Sequence, residues 1–207
     1  MKILIGDDHS VVRRGLKMII LEHYPNAYIQ EAVDGAEVLK MLHTEPWDII
    51  ISDISMPGRN GVEIVKILKE QAPKIPVLML SMHAAEHYAV RTLKAGASGY
   101  LTKESAADEL VKAIKQIVSG RKYITPTVID LLVDEQVNND NQPHKKLSNR
   151  EFEVMKMIAV GKKVSEIAEA LSLSINTIST YKTRILEKMN MTSNADLTKY
   201  AISASLI

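Results

Sequence analysis

The sequence predicts an α/β domain with a five-stranded, doubly wound parallel sheet, followed by a smaller all-α domain. Residues 1–123 alternate short β-type runs with segments of helical period. Within them Ile49-Ile50-Ile51 is continuously apolar and β-branched, as a strand buried on both faces of a parallel sheet requires. From Leu147 onward the apolar period is helical throughout.

In chain order, strands are expected at residues 2–5, 28–33, 48–52, 76–80 and 99–101, with helices over 10–22, 35–43, 60–70, 84–95 and 105–118 between and after them. Gly96-Ala97-Ser98-Gly99 precedes a strand rather than a helix, so it reads as a turn and not as a phosphate-binding loop. Thr125-Pro126 starts a short linker helix, with Thr as N-cap, Pro at the first helical position, and Val128, Ile129, Leu132 and Val133 on one stripe. The polar stretch 138–143 has no apolar period and reads as a flexible hinge. The expected organisation is therefore 1–123, a linker 124–145, and 146–207. The last part opens on Ser148-Asn149-Arg150-Glu151, a capping box, and continues with helices over 164–171, 175–189 and 194–203. A short helix, a tight turn with a Ser cap and a longer helix form a helix-turn-helix.

Composition narrows the function classes. The chain has no cysteine, which excludes a disulfide framework and any thiolate metal site. No stretch is apolar over a bilayer's thickness, and the first apolar run is too short for an export signal, so a cytoplasmic protein without membrane contact is expected. The net charge of +1 conceals an uneven distribution: residues 146–207 carry 9 Lys and Arg against 6 Asp and Glu, while 124–145 carry 1 against 4. That basic tail is compatible with nucleic acid but does not argue for it without a motif.

Asp53 follows the Ile run and precedes Met56-Pro57-Gly58, which cannot extend a strand. It thus falls at a strand's carboxyl end, where open α/β sheets bind ligands. Asp7 and Asp8 follow the first strand, and the first and third strands can be neighbours at the switch point, which brings three carboxylates together. Their repulsion is relieved by a hard divalent cation with oxygen ligands, Mg²⁺. Lys103 after the fifth strand and Ser81 ending the fourth add an ammonium and a hydroxyl at the same edge. Carboxylate nucleophile, Mg²⁺, Lys and Ser together suit phosphoryl transfer to Asp53.

With these residues in place, 1–120 resembles the flavodoxin-like receiver domain of two-component response regulators. The resemblance implies that Asp53 accepts phosphate from a sensor histidine kinase. It also implies that Asp8 and Asp53 ligate Mg²⁺ with Asp7 acting through water, that the Ser55 backbone carbonyl completes the metal site, that Lys103 and Ser81 hold the phosphoryl group, and that Tyr100 is an aromatic switch. Met82 departs from the small residue many receivers carry there and is expected to narrow access to the phosphoryl group. The six histidines show no metal-ligand spacing and read as surface or capping residues.

Residues 147–201 resemble the LuxR-type DNA-binding domain of the NarL/FixJ family through Leu147-Ser-Asn-Arg-Glu-Phe-Glu-Val154, Glu166-Ile-Ala-Glu-Ala-Leu171 and Ile185-Leu-Glu-Lys-Met189. On the reading helix, Ile178, Tyr181, Ile185 and Met189 form the inward stripe. The outward face then offers Asn176, Thr177, Ser179, Thr180 and Thr183 to double-stranded DNA, flanked by Lys182, Arg184 and Lys188 on phosphates. Lys163 stands where the family has a Ser or Thr cap, at a cost of about 1 kcal/mol, and Ser179 where a Lys is common. Together these features describe a phosphorylation-controlled transcription regulator, not a metabolic enzyme, that forms a homodimer on phosphorylation. Two rivals are an aspartate-nucleophile phosphohydrolase, which needs Asp-x-Asp on the first strand where this chain has Asp7-Asp8-His9, and a phosphorylation-dependent interaction protein that binds no DNA.

Overall fold

Five strands, β1 (Lys2–Gly6), β2 (Tyr28–Ala32), β3 (Ile49–Asp53), β4 (Val77–Ser81) and β5 (Gly99–Thr102), form one all-parallel sheet in the order β2-β1-β3-β4-β5. The computed structural model describes residues 1–57, 61–82, 86–137, 142–204 and 206–207. Contacts group the chain into two units, Met1–Gln136 and Val137–Ile207.

In the first unit β1 pairs with β2 on one side and β3 on the other, so the chain reverses direction across the sheet between them. This is the switch point that the spacing of the strands anticipates. Every residue of β3 and β4 is buried, which is why these two strands read as unbroken apolar runs. The edge strand β2 is only partly buried and carries Gln30 and Glu31. Alternate residues face opposite ways. Ile3, Ile5, Ile49, Ile51, Leu78, Leu80 and Leu101 pack against Leu16 and Ile20 of α1 (Ser10–His23) and against Leu110, Ala113, Ile114 and Ile117 of α5 (Ala106–Val118). Helices α2 (Gly35–Met41), α3 (Gly61–Gln71) and α4 (Glu86–Lys94) complete the unit, with Val38, Val62, Val65, Leu68 and Ala89 buried. Starts expected at 60 and 84 lie outside the described residues.

Gly6 and Gly61 mark where the site needs backbone approach. A Cβ on Gly6 would stand 2.4 Å from Val38 Cγ2, and one on Gly61 would stand 2.6 Å from Ile54 Cα. Gly61 N–H donates to the Ile54 carbonyl at 3.0 Å, so the chain after Asp53 returns tightly onto itself.

Helix α6 (Pro126–Val137) starts at the expected Pro and groups with the first unit up to Gln136. The hinge expectation for 138–141 lies outside the described residues. Its end is a correction: Pro143–Lys146 forms one 3₁₀ turn, and His144, 8% exposed, sits with Nδ1 2.7 Å from the Tyr200 hydroxyl and its ring against Phe152. It is not the surface or capping histidine the sequence implies, because aromatic neighbours from two helices close over it.

The second unit holds α7 (Asn149–Ala159), α8 (Val164–Ala170), α9 (Ile175–Met189) and α10 (Asn194–Ser203). Phe152, Val154, Met155, Ile167, Ile178, Ile185 and Leu197 form its core. The capping box at Ser148 and Glu151 is present. Arg150 is buried and donates to Glu153 at 2.8 Å and to the Leu171 carbonyl at 3.1 Å, which ties α7 to the end of α8. Ser172, at φ +53, turns the chain from α8 into α9.

Candidate functional site: an acidic pocket and a hydroxyl-lined helix

Four strand ends build the pocket. Asp7 and Asp8 follow β1, Asp53 ends β3, Ser81 ends β4, and Lys103 follows β5 with its N–H on the Ser81 carbonyl at 2.8 Å. The topology therefore brings together residues that lie up to 96 positions apart in the chain. Asp53, Asp7 and Ser81 are buried, and Asp8 is partly exposed. Lys103 Nζ lies 2.6 Å from Asp7 Oδ2 and 3.0 Å from Asp53 Oδ2.

Burial pushes the Asp53 pKa up; Lys103 and the Ser55 amide oppose this, and Asp7 reinforces it, leaving the carboxyl above its ordinary value. Burial works the other way on Lys103, but Asp7 and Asp53 outweigh it and hold the ammonium above its usual range. Both partners thus rise, because one cation serves two buried carboxylates and cannot fully offset the desolvation of Asp53.

Asp7, Asp8, His9 and Asp53 each offer a ligand atom within 4.8 Å of the others. Asp7 Oδ2, Asp8 Oδ1 and both Asp53 oxygens are buried without a hydrogen bond of good direction. Unsatisfied, hard, anionic oxygens at this density fit a divalent cation such as Mg²⁺. His9 joins the group while standing exposed at the N-cap of α1, as the surface or capping reading expects: Nδ1 is 2.8 Å from Asp8 Oδ1, and its backbone N–H donates to Asp7 Oδ1 at 2.8 Å. Its place directly after the acidic pair was the available signal. Arg13 gave none, yet its Nη1 donates to the Asp7 carbonyl at 2.6 Å and its Nε to Glu31 at 3.2 Å, fixing the loop that carries both acids.

Tyr100, 1% exposed, is already inside the sheet edge, with its hydroxyl bonded to the Ser81 side chain; burial raises its pKa, Ser81 opposes, and Asp53 adds to the rise. Met82 is 68% exposed, so it stands at the rim rather than across the pocket.

On α9, Ile178, Ile185 and Met189 are buried and Tyr181 is half-buried. Asn176, Ser179, Thr180, Thr183 and Arg184 are exposed, and Lys182 is half-buried. The Ser179, Thr180 and Thr183 hydroxyls donate to carbonyls four residues back, at 3.0, 2.9 and 3.2 Å. Their oxygens and methyl groups are what the face presents. Two expected contacts are differently engaged. Thr177 is half-buried in the cap, its N–H on Ser174 Oγ at 3.1 Å. Lys188 turns to Glu151, 2.6 and 2.8 Å from its two oxygens, because that side chain is 4% exposed and needs a cation. Burial alone would raise Glu151; Lys188 and the Ser148 amide and hydroxyl together hold it below its ordinary value. Among the described residues no helix is long and apolar enough to cross a membrane.

Residues 3–115 match the response regulator receiver domain, and residues 145–201 match the bacterial regulatory proteins of the luxR family. The chain belongs to the NarL/FixJ-type response regulators, which join a receiver domain to a LuxR-type DNA-binding domain. Among proteins of this class it is 36% identical to the oxygen regulatory protein NreC of Staphylococcus carnosus, over 100% of this chain and 99% of that one. It is 33% identical to the response regulator UvrY of Escherichia coli K12, over 99% and 94%. Salmonella typhimurium RcsB is similar in structure, with a TM-score of 0.70 at 28% identity over 98% and 97% of the two chains. RcsB bound to the promoter rprA in the presence of the phosphomimetic BeF₃⁻ gives a TM-score of 0.66 at 27% identity, over 97% of each chain.

Proposed function

We propose that Asp53 is the phosphoacceptor of a switch that controls DNA binding and transcription. The observation that carries this reading is the juxtaposition of Asp53 with Asp7, Asp8 and Lys103 at one sheet edge. The donor is the phosphohistidine of a sensor histidine kinase. An Asp53 carboxylate oxygen attacks phosphorus, the bond from phosphorus to the donor nitrogen breaks, and that nitrogen leaves with its electron pair. Asp8, Asp53 and the Ser55 carbonyl would hold Mg²⁺, with Asp7 acting through water, and the ion when bound would supply positive charge beside the phosphoryl oxygens. Lys103 and Ser81 bind those same oxygens, and Lys103 must leave Asp7 to do so. The chemistry is limited to the protein's own phosphorylation and dephosphorylation, in the cytoplasm.

As Ser81 engages the phosphoryl group, its bond to Tyr100 is redirected, which changes the packing of β4, β5 and their helices and favours a homodimer. Lys103→Ala is expected to accept phosphate yet stay monomeric by light scattering with a small phosphodonor. A phosphorylated dimer of this variant would remove Lys103 from the switch.

The second half of the reading is that α9 enters the major groove of double-stranded DNA, with Asn176, Ser179, Thr180 and Thr183 toward base edges and Lys182 and Arg184 toward phosphates. RcsB, which is similar over its full length, has been seen as dimers on DNA. Thr180→Ala and Thr183→Ala should reduce discrimination between cognate and random duplexes and leave the salt dependence alone. Arg184→Ala should weaken both and lower the slope of log K against log salt by about one. Equal slopes for all three would reverse the assignment of the face.

A further inference from the structure

Arg13 connects two elements that the acidic pocket needs in fixed relation. It lies in the first turn of α1, its N–H on the His9 carbonyl at 3.1 Å, and helical side chains tilt toward the N-terminus, so its guanidinium reaches back over the loop 7–9. There Nη1 donates to the Asp7 carbonyl at 2.6 Å, and Nε donates to Glu31 on the edge strand β2 at 3.2 Å. The neighbouring Arg14 is exposed, whereas the Arg13 side chain is 12% exposed. Lys17, one turn further along α1, donates to the other Glu31 oxygen at 3.1 Å. Lys17, opposed by burial and joined by Arg13, holds the Glu31 carboxyl below its ordinary value, so this anchor is an anion at neutral pH.

A peptide unit is planar, so holding the Asp7 carbonyl fixes the plane that joins Asp7 to Asp8. The Asp7 N–H is held as well, on the Ala32 carbonyl at 3.2 Å, and Asp7 Oδ1 accepts from the His9 N–H at 2.8 Å. Strand β2 thus grips both backbone polar groups of Asp7, directly through Ala32 and by way of Glu31 and Arg13. Three carboxylates whose oxygens lie within 4.8 Å of one another repel, and that repulsion acts to open the loop. Arg13 opposes it by direction rather than by neutralisation, since its bonds go to an uncharged carbonyl and to Glu31, which lies outside the acidic group. A lysine would bring the charge without the rigid fork that reaches both partners at once.

We propose that Arg13, anchored by Glu31, is a positioning residue that holds the Asp7–Asp8 loop in the geometry Mg²⁺ requires and thereby sets the affinity of the pocket for the ion. The inference rests on the metal reading above and adds two residues that ligate nothing themselves. Groups that orient metal ligands from behind typically cost about 10–100-fold in affinity when removed. Charge and geometry make opposite demands at this position. Removing a cation beside an acidic group tightens a divalent ion on Coulomb grounds, whereas releasing the loop that carries the acids weakens it.

The test is calorimetric titration of Mg²⁺ into the full-length, unphosphorylated protein, with thermal melting in the absence of metal as the control for folding. Arg13→Met should weaken Mg²⁺ by about tenfold or more. Arg13→Lys, which keeps the charge, should weaken it too. Glu31→Gln, which releases Nε and leaves Arg13 in place, should weaken it less and add nothing further in the Arg13→Met background, because the two residues act as one unit. Should Arg13→Met fail to melt cooperatively, Arg13→Lys and Glu31→Gln carry the same test. Folded Arg13 variants that bind Mg²⁺ as tightly as the unmodified chain, or more tightly, would overturn the positioning role and leave the metal reading intact. Losses from Arg13→Met and Glu31→Gln that simply add would overturn the anchoring by Glu31. An unmodified protein that binds no Mg²⁺ would remove the metal reading, and the positioning role with it.

Discussion

Asp53→Asn is expected to leave the protein unlabelled by a small acyl phosphate with Mg²⁺, where the unmodified chain incorporates one phosphoryl group. The amide keeps the shape of the side chain but lacks the nucleophilic oxygen. It also removes one of the two buried anions that Lys103 serves at 2.6 and 3.0 Å. Asp7 and Asp8 do not take over. Asp7 is buried with one oxygen against Lys103 and the other accepting from the His9 N–H, and Asp8 lies against His9. Intact-mass measurement on native protein reads the result directly. Labelling that persists in Asp53→Asn, or that proceeds equally with excess chelator in the unmodified chain, would place the acceptor or its chemistry elsewhere.

Lys188→Ala should damage the fold of the second unit rather than its grip on DNA. Glu151 would keep its bond from the Ser148 N–H, 2.7 Å, but lose the cation that offsets its burial. Removing one partner of a fully buried pair costs about 3–5 kcal/mol; Lys188 is itself 42% exposed, so a loss of about 2 kcal/mol is expected. The pH dependence follows from the direction of the Glu151 shift. Its folded pKa lies below the ordinary carboxylate value, so its contribution is complete above that value and is lost as pH falls through the lowered one. Without Lys188 only the Ser148 amide and hydroxyl oppose burial, so the folded pKa rises from its lowered position. The variant's deficit should then shrink on acidification. Hydrogen exchange of α7 and α9 amides in the full-length protein measures both effects. A variant as protected as the parent, with a salt slope for DNA lowered by one, would return Lys188 to the phosphate-contacting set.

The sequence by itself determined the element order. Ile49-Ile50-Ile51, the Pro at 126 and the Ser148 capping box each act through local period, fixed φ or a three-residue hydrogen bond, and the structure places β3, α6 and α7 on them. Asp53, Asp8 and Lys103 were legible for the same reason: each stands where an apolar run stops. Tertiary structure decided the partners. Whether Lys188 meets phosphate or Glu151 depends on a contact spanning 37 residues, and helix period alone leaves it outward. His9 stands at the N-cap of α1 as its sequence reading allows, but only the pairing of β1 with β3 brings Asp53 within 4.8 Å of it and the acidic pair. His144 reads as a surface or capping residue until Tyr200, 56 residues later, folds over it. In each case a buried charge or polar atom had to be satisfied, and only the folded chain determines which group is near enough to do it.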